Sequence, residues 1–277
     1  MKEQKRSQFK NLQFKYLLAA IVPMIITVII GLISYFSGLF VDIILDETIL
    51  SGITDGIKLF IRCILLYIVF LIWYKKLSEK DASNSEKEEK ELSSLNILKY
   101  ILTGLLLGFF LKSAGCFILY LVPALSETYA DHIMAINVYD SSVVAVIVFV
   151  IFLPFIEEII YRCITLSYLE RFFKPLMSES KAYMAANLIS ALIYGFYQLS
   201  FIHGIVAFIL GTLCGFFAKK TDDLLTAVIV HSSCSLAMSF IPIEICNYPM
   251  ICSVTMATSL LLFIISSILI YKTAKSA

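Results

Sequence analysis

Long apolar runs recur through this chain, and they restrict its fold more than any other feature. An α-helix needs ~20 consecutive apolar residues to cross the hydrocarbon core of a bilayer. The runs lie at Leu17–Val41, Ile57–Tyr74, Tyr100–Leu125, a long segment from Ser142 through Pro154, Met184–Leu199, Phe201–Phe217, Leu224–Ile241 and Ile251–Tyr271. The fifth and sixth are a little short for a full crossing. We predict an all-α, polytopic integral membrane protein with about eight transmembrane helices.

The composition agrees with a membrane protein and excludes several other classes. Of the 277 residues, 60% are hydrophobic and 16% are charged, whereas soluble domains average about 45–50% apolar and 25% charged residues. The formal net charge is +1, so the chain lacks the basic excess that nucleic acid requires, and no nucleic-acid partner is expected. The seven cysteines lie mostly within apolar runs and without CxxC spacing, which indicates packing residues rather than a disulfide framework.

Lysine and arginine alternate between the predicted loops, and this alternation predicts the orientation. Basic residues crowd the amino-terminal tail and the loop between the second and third helices, and they also flank the fourth helix, follow the sixth and end the chain. The stretch 126–141 has no basic residue. Because cytoplasmic loops carry the excess of Lys and Arg, we predict that both termini are cytoplasmic and that this is a multi-pass protein of the cell membrane.

A hydrophilic stretch rich in Glu, Lys and Ser interrupts the apolar pattern after the second helix. It divides the chain into an amino-terminal tail with two helices (1–75), a charged cytoplasmic linker (76–99) and a six-helix membrane body (100–277). The chain shows no internal repeat, so an inverted-repeat transporter has no direct support from the sequence.

A few charged residues interrupt the apolar runs: Lys112, Glu157, Glu158 and Arg162. Each such charge costs at least about 2.5–3.5 kcal/mol at the bilayer centre and therefore needs a reason. On a helix Glu158 and Arg162 are four residues apart and can pair, while Glu157 points about 100° away and is free to exchange a proton with a water. The alternative is a helix end exposed to water. Glu157 and Glu158, however, lie roughly 20 Å along the helix from Arg171, which favours a place inside the membrane.

Two further polar positions follow in later helices. His231 lies inside the seventh helix with Ser235 one turn away, and this pair offers a proton carrier and a hydrogen-bond donor. Gln198 and His203 lie at the joint of the fifth and sixth helices, where an ordinary polar turn explains them equally well. For His231 the alternative is a buried histidine that only hydrogen-bonds a neighbouring helix. His132 is interpreted as a solvated loop residue.

These motifs together resemble the CPBP family of intramembrane proteases, which includes the type II CAAX prenyl endopeptidase and bacterial bacteriocin-processing or immunity proteins. The resemblance covers residues 142–238, and its first motif is Glu157-Glu158-x-x-x-Arg162. The family's second motif is Phe-x-x-x-His, where this chain has Tyr194 and Gln198. Its third is His-x-x-x-Asn, where this chain has His231 and Ser235.

The resemblance implies an intramembrane endopeptidase that cleaves a hydrophobic or lipidated peptide, such as a prenylated protein or a leader peptide. Glu157 would then be the general base, and Glu158 with Arg162 would set its geometry. Gln198 or His203 would position the water, and His231 and Ser235 would donate to the oxyanion. A zinc set of two His and a Glu is not expected, because only His231 matches, so we predict no metal or other cofactor.

Two alternatives remain open from the sequence. The departures at Gln198 and Ser235 are compatible with a catalytically impaired family member that acts as a bacteriocin-immunity factor or as a membrane partner protein. A proton-coupled small-molecule transporter is the other alternative, since membrane carboxylates can relay protons. A transporter should carry further ionisable residues along a path through the bilayer, and the chain has few beyond the cluster around Glu157.

Overall fold

A computed structural model describes the backbone of residues 2–44, 51–82, 94–122, 125, 146–241 and 247–273. Side chains are described for residues 11–34, 60–78, 96–122, 125, 146–241 and 247–270. Regular structure is entirely helical within these ranges, so the all-α prediction is confirmed for the part of the chain that they cover. His132 and the loop 126–141 lie outside the described residues.

The described residues form eight helices, which we number in chain order. They are α1 (Lys2–Ile44), α2 (Ser51–Ala82), α3 (Ser94–Leu121), α4 (148–173), α5 (Glu179–Tyr197), α6 (Phe201–Thr221), α7 (Leu224–Phe240) and α8 (Pro249–Thr273). Both α2 and α3 extend into the region that the sequence assigns to the charged linker. The division into an amino-terminal pair, a linker and a body stays a prediction.

Helix α4 is built from four consecutive segments. Val148–Phe152 is π-helical, Leu153–Glu158 is α-helical, Ile159–Thr165 is π-helical and Leu166–Phe173 is α-helical. Pro154 lies inside this continuous helix, just after the first π-helical turn, and its missing N–H removes one intrahelical hydrogen bond. Short π-helical stretches inside α-helices occur frequently at functional sites. Here they lie directly before and after the segment that carries Glu157 and Glu158.

The surface of the described helices is strongly apolar. Large apolar side chains are well exposed on several helices, among them Met250 (79%), Phe240 (70%) and Phe201 (69%). Four helices are long and apolar enough to cross a membrane: Asn11–Ser34, Asn96–Leu121, Phe201–Thr221 and Pro249–Ile270. Exposed apolar surface of this kind is stable only against lipid, which identifies an integral membrane protein. The count of eight crossings and the cytoplasmic location of the termini stay predictions.

The sixth helix differs from its expected length. The sequence predicts an apolar run, Phe201–Phe217, a little short for a crossing, but α6 continues to Thr221 and is long enough to span. The helix continues because Lys219 and Lys220 in its last turn complement the helix dipole. Asp222 then ends the helix in the left-handed conformation (φ 53°).

Helix α4 lies in contact with helices from both parts of the chain. Cys63, Leu66 and Phe70 of α2 share one buried cluster with residues of α4, among them Ile156 and Ile160. On other sides α4 meets α1, α5 and α7. Neighbouring helices therefore shield Glu157, Glu158 and Arg162 of α4 from lipid.

Helix α3 packs very closely on α7 through two glycines one turn apart. A Cβ at residue 104 would lie 2.5 Å from the carbonyl oxygen of Val230, and a Cβ at residue 108 would lie 2.7 Å from the Cβ of Ala237. Small residues at this spacing allow helix backbones to approach in membranes. The contact fixes α7, and with it His231, against the rest of the molecule.

Candidate active site

Four ionisable side chains from two helices form a buried cluster. Glu157, Glu158 and Arg162 project from α4 and are 7%, 1% and 5% exposed, and His231 of α7 is 3% exposed. Buried charges are stable only when they are paired and hydrogen-bonded. The burial excludes the alternative in which these residues lie at a wet helix end.

Glu158 is held from two sides. Its Oε2 forms an ion pair with Arg162 Nε at 3.2 Å, as the four-residue spacing predicts, and its Oε1 lies 2.8 Å from His231 Nδ1. The guanidinium of Arg162 also donates to Ser190 Oγ at 3.2 Å, and Ser190 donates to the backbone oxygen of Tyr161 at 2.6 Å. Glu158 is thus a fixed group that orients the ring of His231.

Glu157 has a different set of partners. The hydroxyl of Tyr194 on α5 donates to Glu157 Oε2 at 2.9 Å and lies 3.4 Å from His231 Nε2. The distance from His231 Nε2 to Glu157 Oε2 is 3.5 Å, longer than a good hydrogen bond. Tyr194 therefore connects the base candidate on α4 with the imidazole on α7.

The hydrogen bonds of His231 restrict what its ring can do. A neutral ring that donates from Nδ1 to Glu158 presents an Nε2 lone pair towards Tyr194 and Glu157, whereas a protonated ring donates from both nitrogens. Two carboxylates and one guanidinium leave one negative charge, which a protonated His231 would cancel.

A comparison with protein-family models finds a similarity to a known family over the segment that holds this cluster. Residues 139–237 match the model described as type II CAAX prenyl endopeptidase Rce1-like. This segment is Rce1-like. It contains the site residues of α4, α5, α6 and α7, and the family resemblance is confirmed over it. No curated protein and no solved structure matches the chain significantly. At the level of the family, the match supports a CAAX-protease-type membrane endopeptidase.

The other site residues proposed from the sequence make local hydrogen bonds: Gln198, His203 and Ser235. Gln198 ends α5, where its backbone N–H donates to Gly195 O at 3.2 Å, and His203 lies in the first turn of α6 with Nδ1 at 3.1 Å from Ser200 Oγ. Ser235 is buried one turn after His231, and its backbone oxygen accepts from Ser239. These contacts lie within one turn or helix, so the functional roles of Gln198, His203 and Ser235 stay predictions.

Tyr194 is the contact that sequence reasoning misses. In the motif it is only a departure from the Rce1-like Phe, yet its hydroxyl is the donor to Glu157. The signal available in the sequence is the coincidence of two changes, an added hydroxyl at 194 and a lost imidazole at 198. These two changes do not predict the bond to Glu157 unless it is known that α5 packs beside α4.

Three buried ligand atoms near the cluster have the types that a metal ion binds. They belong to Glu158, Cys214 and His231, and they lie within 4.8 Å of one another. Arg162, however, lies 3.2 Å from Glu158 and already neutralises this carboxylate. A cation there would face the guanidinium at short range in a dry environment, where like charges repel strongly. This donor set does not fit a catalytic metal, and no step is assigned to one.

Proposed function

We propose that this chain is a multi-pass cell-membrane endopeptidase that hydrolyses a peptide bond of a membrane-associated substrate, prenylated or a leader peptide, with a water activated by Glu157. The observation that carries the proposal is the arrangement of Glu157. It is a buried carboxylate with one hydroxyl donor and an imidazole 3.5 Å away. The Rce1-like match of the same segment supports this reaction class.

In the first step, Glu157 removes a proton from a water as the water oxygen bonds to the substrate's carbonyl carbon. The carbonyl becomes a tetrahedral oxyanion, and the proton resides on Glu157. When the C–N bond breaks, the proton passes from Glu157 to the leaving amine, and the new carboxyl group remains on the other product.

His231 is the proposed donor to the developing oxyanion. The Glu158 contact at Nδ1 fixes the ring plane and directs Nε2 towards the reacting groups. In its protonated form Nε2 donates a hydrogen bond, and preorganised donors of this kind usually contribute the largest share of rate enhancement. Arg162 acts through Glu158 and is therefore a positioning residue.

The remaining motif residues have roles that rest on the family resemblance. Gln198 or His203 would position the attacking water, although a glutamine can do so only by hydrogen bonding and not by proton transfer. Ser235, in the place of the Rce1-like Asn, would supply a second donor to the oxyanion.

The test is cleavage of a prenylated peptide by the purified protein in lipid nanodiscs, comparing the parent with Glu157→Gln. Loss of the general base should lower kcat by about 10²–10⁴-fold. Glu170→Gln is the matched control, since Glu170 lies on the same helix, pairs with Lys174 and lies outside the cluster. It should retain the parent's turnover.

Equal turnover by the parent and Glu157→Gln would refute the proposal. No cleavage by the parent would favour the second candidate, a catalytically impaired protein. The observation behind this candidate is Gln198, which stands where the motif has a histidine. In that case the protein would act by binding, as a bacteriocin-immunity factor or a membrane partner protein.

A further inference from the structure

Arg62 is a charged residue in the apolar part of α2 that neither the family segment nor the proposed reaction uses. Its guanidinium Nη2 donates to the hydroxyl of Tyr197 on α5 at 2.9 Å. No Asp or Glu oxygen lies within 4.0 Å of it among the residues that the structure describes. A partly buried cation with no acidic partner among the described residues is costly in an apolar helix and indicates a functional site.

The surroundings make room for this guanidinium. A Cβ at residue 31 of α1 would lie 3.1 Å from Arg62 Nη2, so Gly31 allows α1 to pass close to the charged group. Three helices, α1, α2 and α5, therefore meet at Arg62. Among the described residues its hydrogen-bond partner is the Tyr197 hydroxyl, and most of the five N–H donors of this arginine have no acceptor there.

A row of three tyrosines connects Arg62 with Glu157. Tyr197 bonds Arg62, and its ring centroid is 6.4 Å from that of Tyr161, which is 4.7 Å from that of Tyr194. Tyr194 donates to Glu157.

Tyr161 adds an independent observation at the middle of this row. Its side chain is 1% exposed, and its hydroxyl has no hydrogen-bond partner among the described residues. An unsatisfied buried hydroxyl is unfavourable and is rare in folded proteins. The middle of the tyrosine row, between Arg62 and Glu157, therefore holds a polar group that the described residues leave unsatisfied.

We propose that Arg62 binds a carboxylate of the peptide substrate while the scissile bond lies at Glu157. This inference rests on the proposed function and adds a specificity site from the helices that precede the family-matched segment. The carboxylate is either the C-terminus of the peptide or an acidic side chain close to the cleaved bond. Because an extended chain advances about 3.3–3.6 Å per residue, it lies a few residues from that bond.

The experiment measures binding and cleavage of three prenylated peptides that differ only in charge. One has a free C-terminal carboxylate and an internal Glu, one has a C-terminal amide, and one has Gln for the Glu. Binding is measured by fluorescence anisotropy on the Glu157→Gln variant, which keeps the subsite. We expect one of the neutralised peptides to bind about tenfold more weakly or worse, which also names the source of the carboxylate. Adding Arg62→Gln should abolish this difference.

Two control variants separate charge recognition from packing. Tyr197→Phe removes the same hydrogen bond but keeps the guanidinium, so it should keep the preference for the charged peptide. Lys112→Gln removes a partly buried cation on α3, outside the tyrosine row, and should also keep it. Arg62→Lys should retain part of the preference because the positive charge remains.

The outcomes distinguish this inference from the proposed function. The same peptide preference in Arg62→Gln as in its parent, no preference in the parent, or no binding of any peptide would overturn the inference. Charge-dependent binding that needs Arg62, together with equal turnover of the parent and Glu157→Gln, would refute the protease proposal and leave the carboxylate site intact.

Discussion

The hydroxyl of Tyr194 is the hydrogen bond that α5 contributes to Glu157. It lies 2.9 Å from Oε2, and the side chain is 4% exposed, so water does not replace it readily. Hydrogen bonds to charged groups are worth about 1.5–3 kcal/mol, more than bonds between neutral groups. This single oxygen therefore has a large share in keeping the base in position.

Replacement of Tyr194 by Phe should lower kcat by about 10–100-fold with little change in KM, because one bond to the charged base is lost while the ring packing remains. The measurement is steady-state cleavage of a prenylated peptide, with thermal unfolding in detergent as the check on folding. Unchanged kcat would show that the hydroxyl does not position the base.

A double variant connects this result to the family motif. Tyr194→Phe with Gln198→His installs both residues of the Rce1-like second motif, and an imidazole at 198 can take over positioning of the water. We expect the double variant to recover much of the activity that Tyr194→Phe loses. Failure to recover would indicate that Gln198 lies too far from the reacting groups to take part.

At the scale of elements, the close contact of α3 with α7 decides where His231 lies. A Cβ at residue 108 would meet the backbone of Cys234 and the Cβ of Ala237, neither of which is the end of a flexible side chain. Addition of a methyl group must then push the helices apart. The cost of such overpacking is typically about 1–3 kcal/mol.

Gly108→Ala should therefore lower the free energy of unfolding by about 1–3 kcal/mol. Gly115→Ala on the same helix is the matched control, because a Cβ there would meet only Ile202 Cγ2 at an ordinary distance of 3.5 Å. That control should be neutral or stabilising, since alanine is the better helix former. Equal effects of both substitutions in detergent unfolding would contradict the close α3–α7 contact.

Across the whole molecule, the amino-terminal helices and the family-matched segment meet at one place. Residues of α2 share a buried cluster with α4, and Arg62 contacts α5. The matched segment holds the proposed reacting groups, while α1 and α2 surround it and supply a cation. We infer that truncation of the first two helices would remove substrate selectivity together with packing area.

The predicted topology is tested by cysteine labelling in a cysteine-depleted background. With both termini cytoplasmic, Gln4→Cys and Ser276→Cys should react with a membrane-impermeant maleimide only in inverted vesicles, and His132→Cys only in intact cells. This follows from the excess of Lys and Arg in the tail and in alternate loops. The reverse pattern would overturn the orientation.

The sequence by itself determined the helical class, the membrane environment and the first site motif. Hydropathy is additive along the chain, so apolar runs such as the one at Phe201 are visible without a structure. The Glu158–Arg162 pair is also local, because four residues of helix set its geometry. The match of residues 139–237 to the Rce1-like model follows from the same linear pattern.

Tertiary structure alone decided which partners surround these residues. The π-helical segments of α4 change the angular position of later side chains relative to the other helices, so a regular helical wheel does not predict that Arg162 also donates to Ser190 of α5. The choice of Tyr194 as the donor to Glu157, and the place of Arg62 beside Tyr197, depend on how α2 and α5 cross α4. The angle and position of each crossing depend on the side-chain shapes of both helices that pack together. Residue spacing within one helix therefore does not predict them.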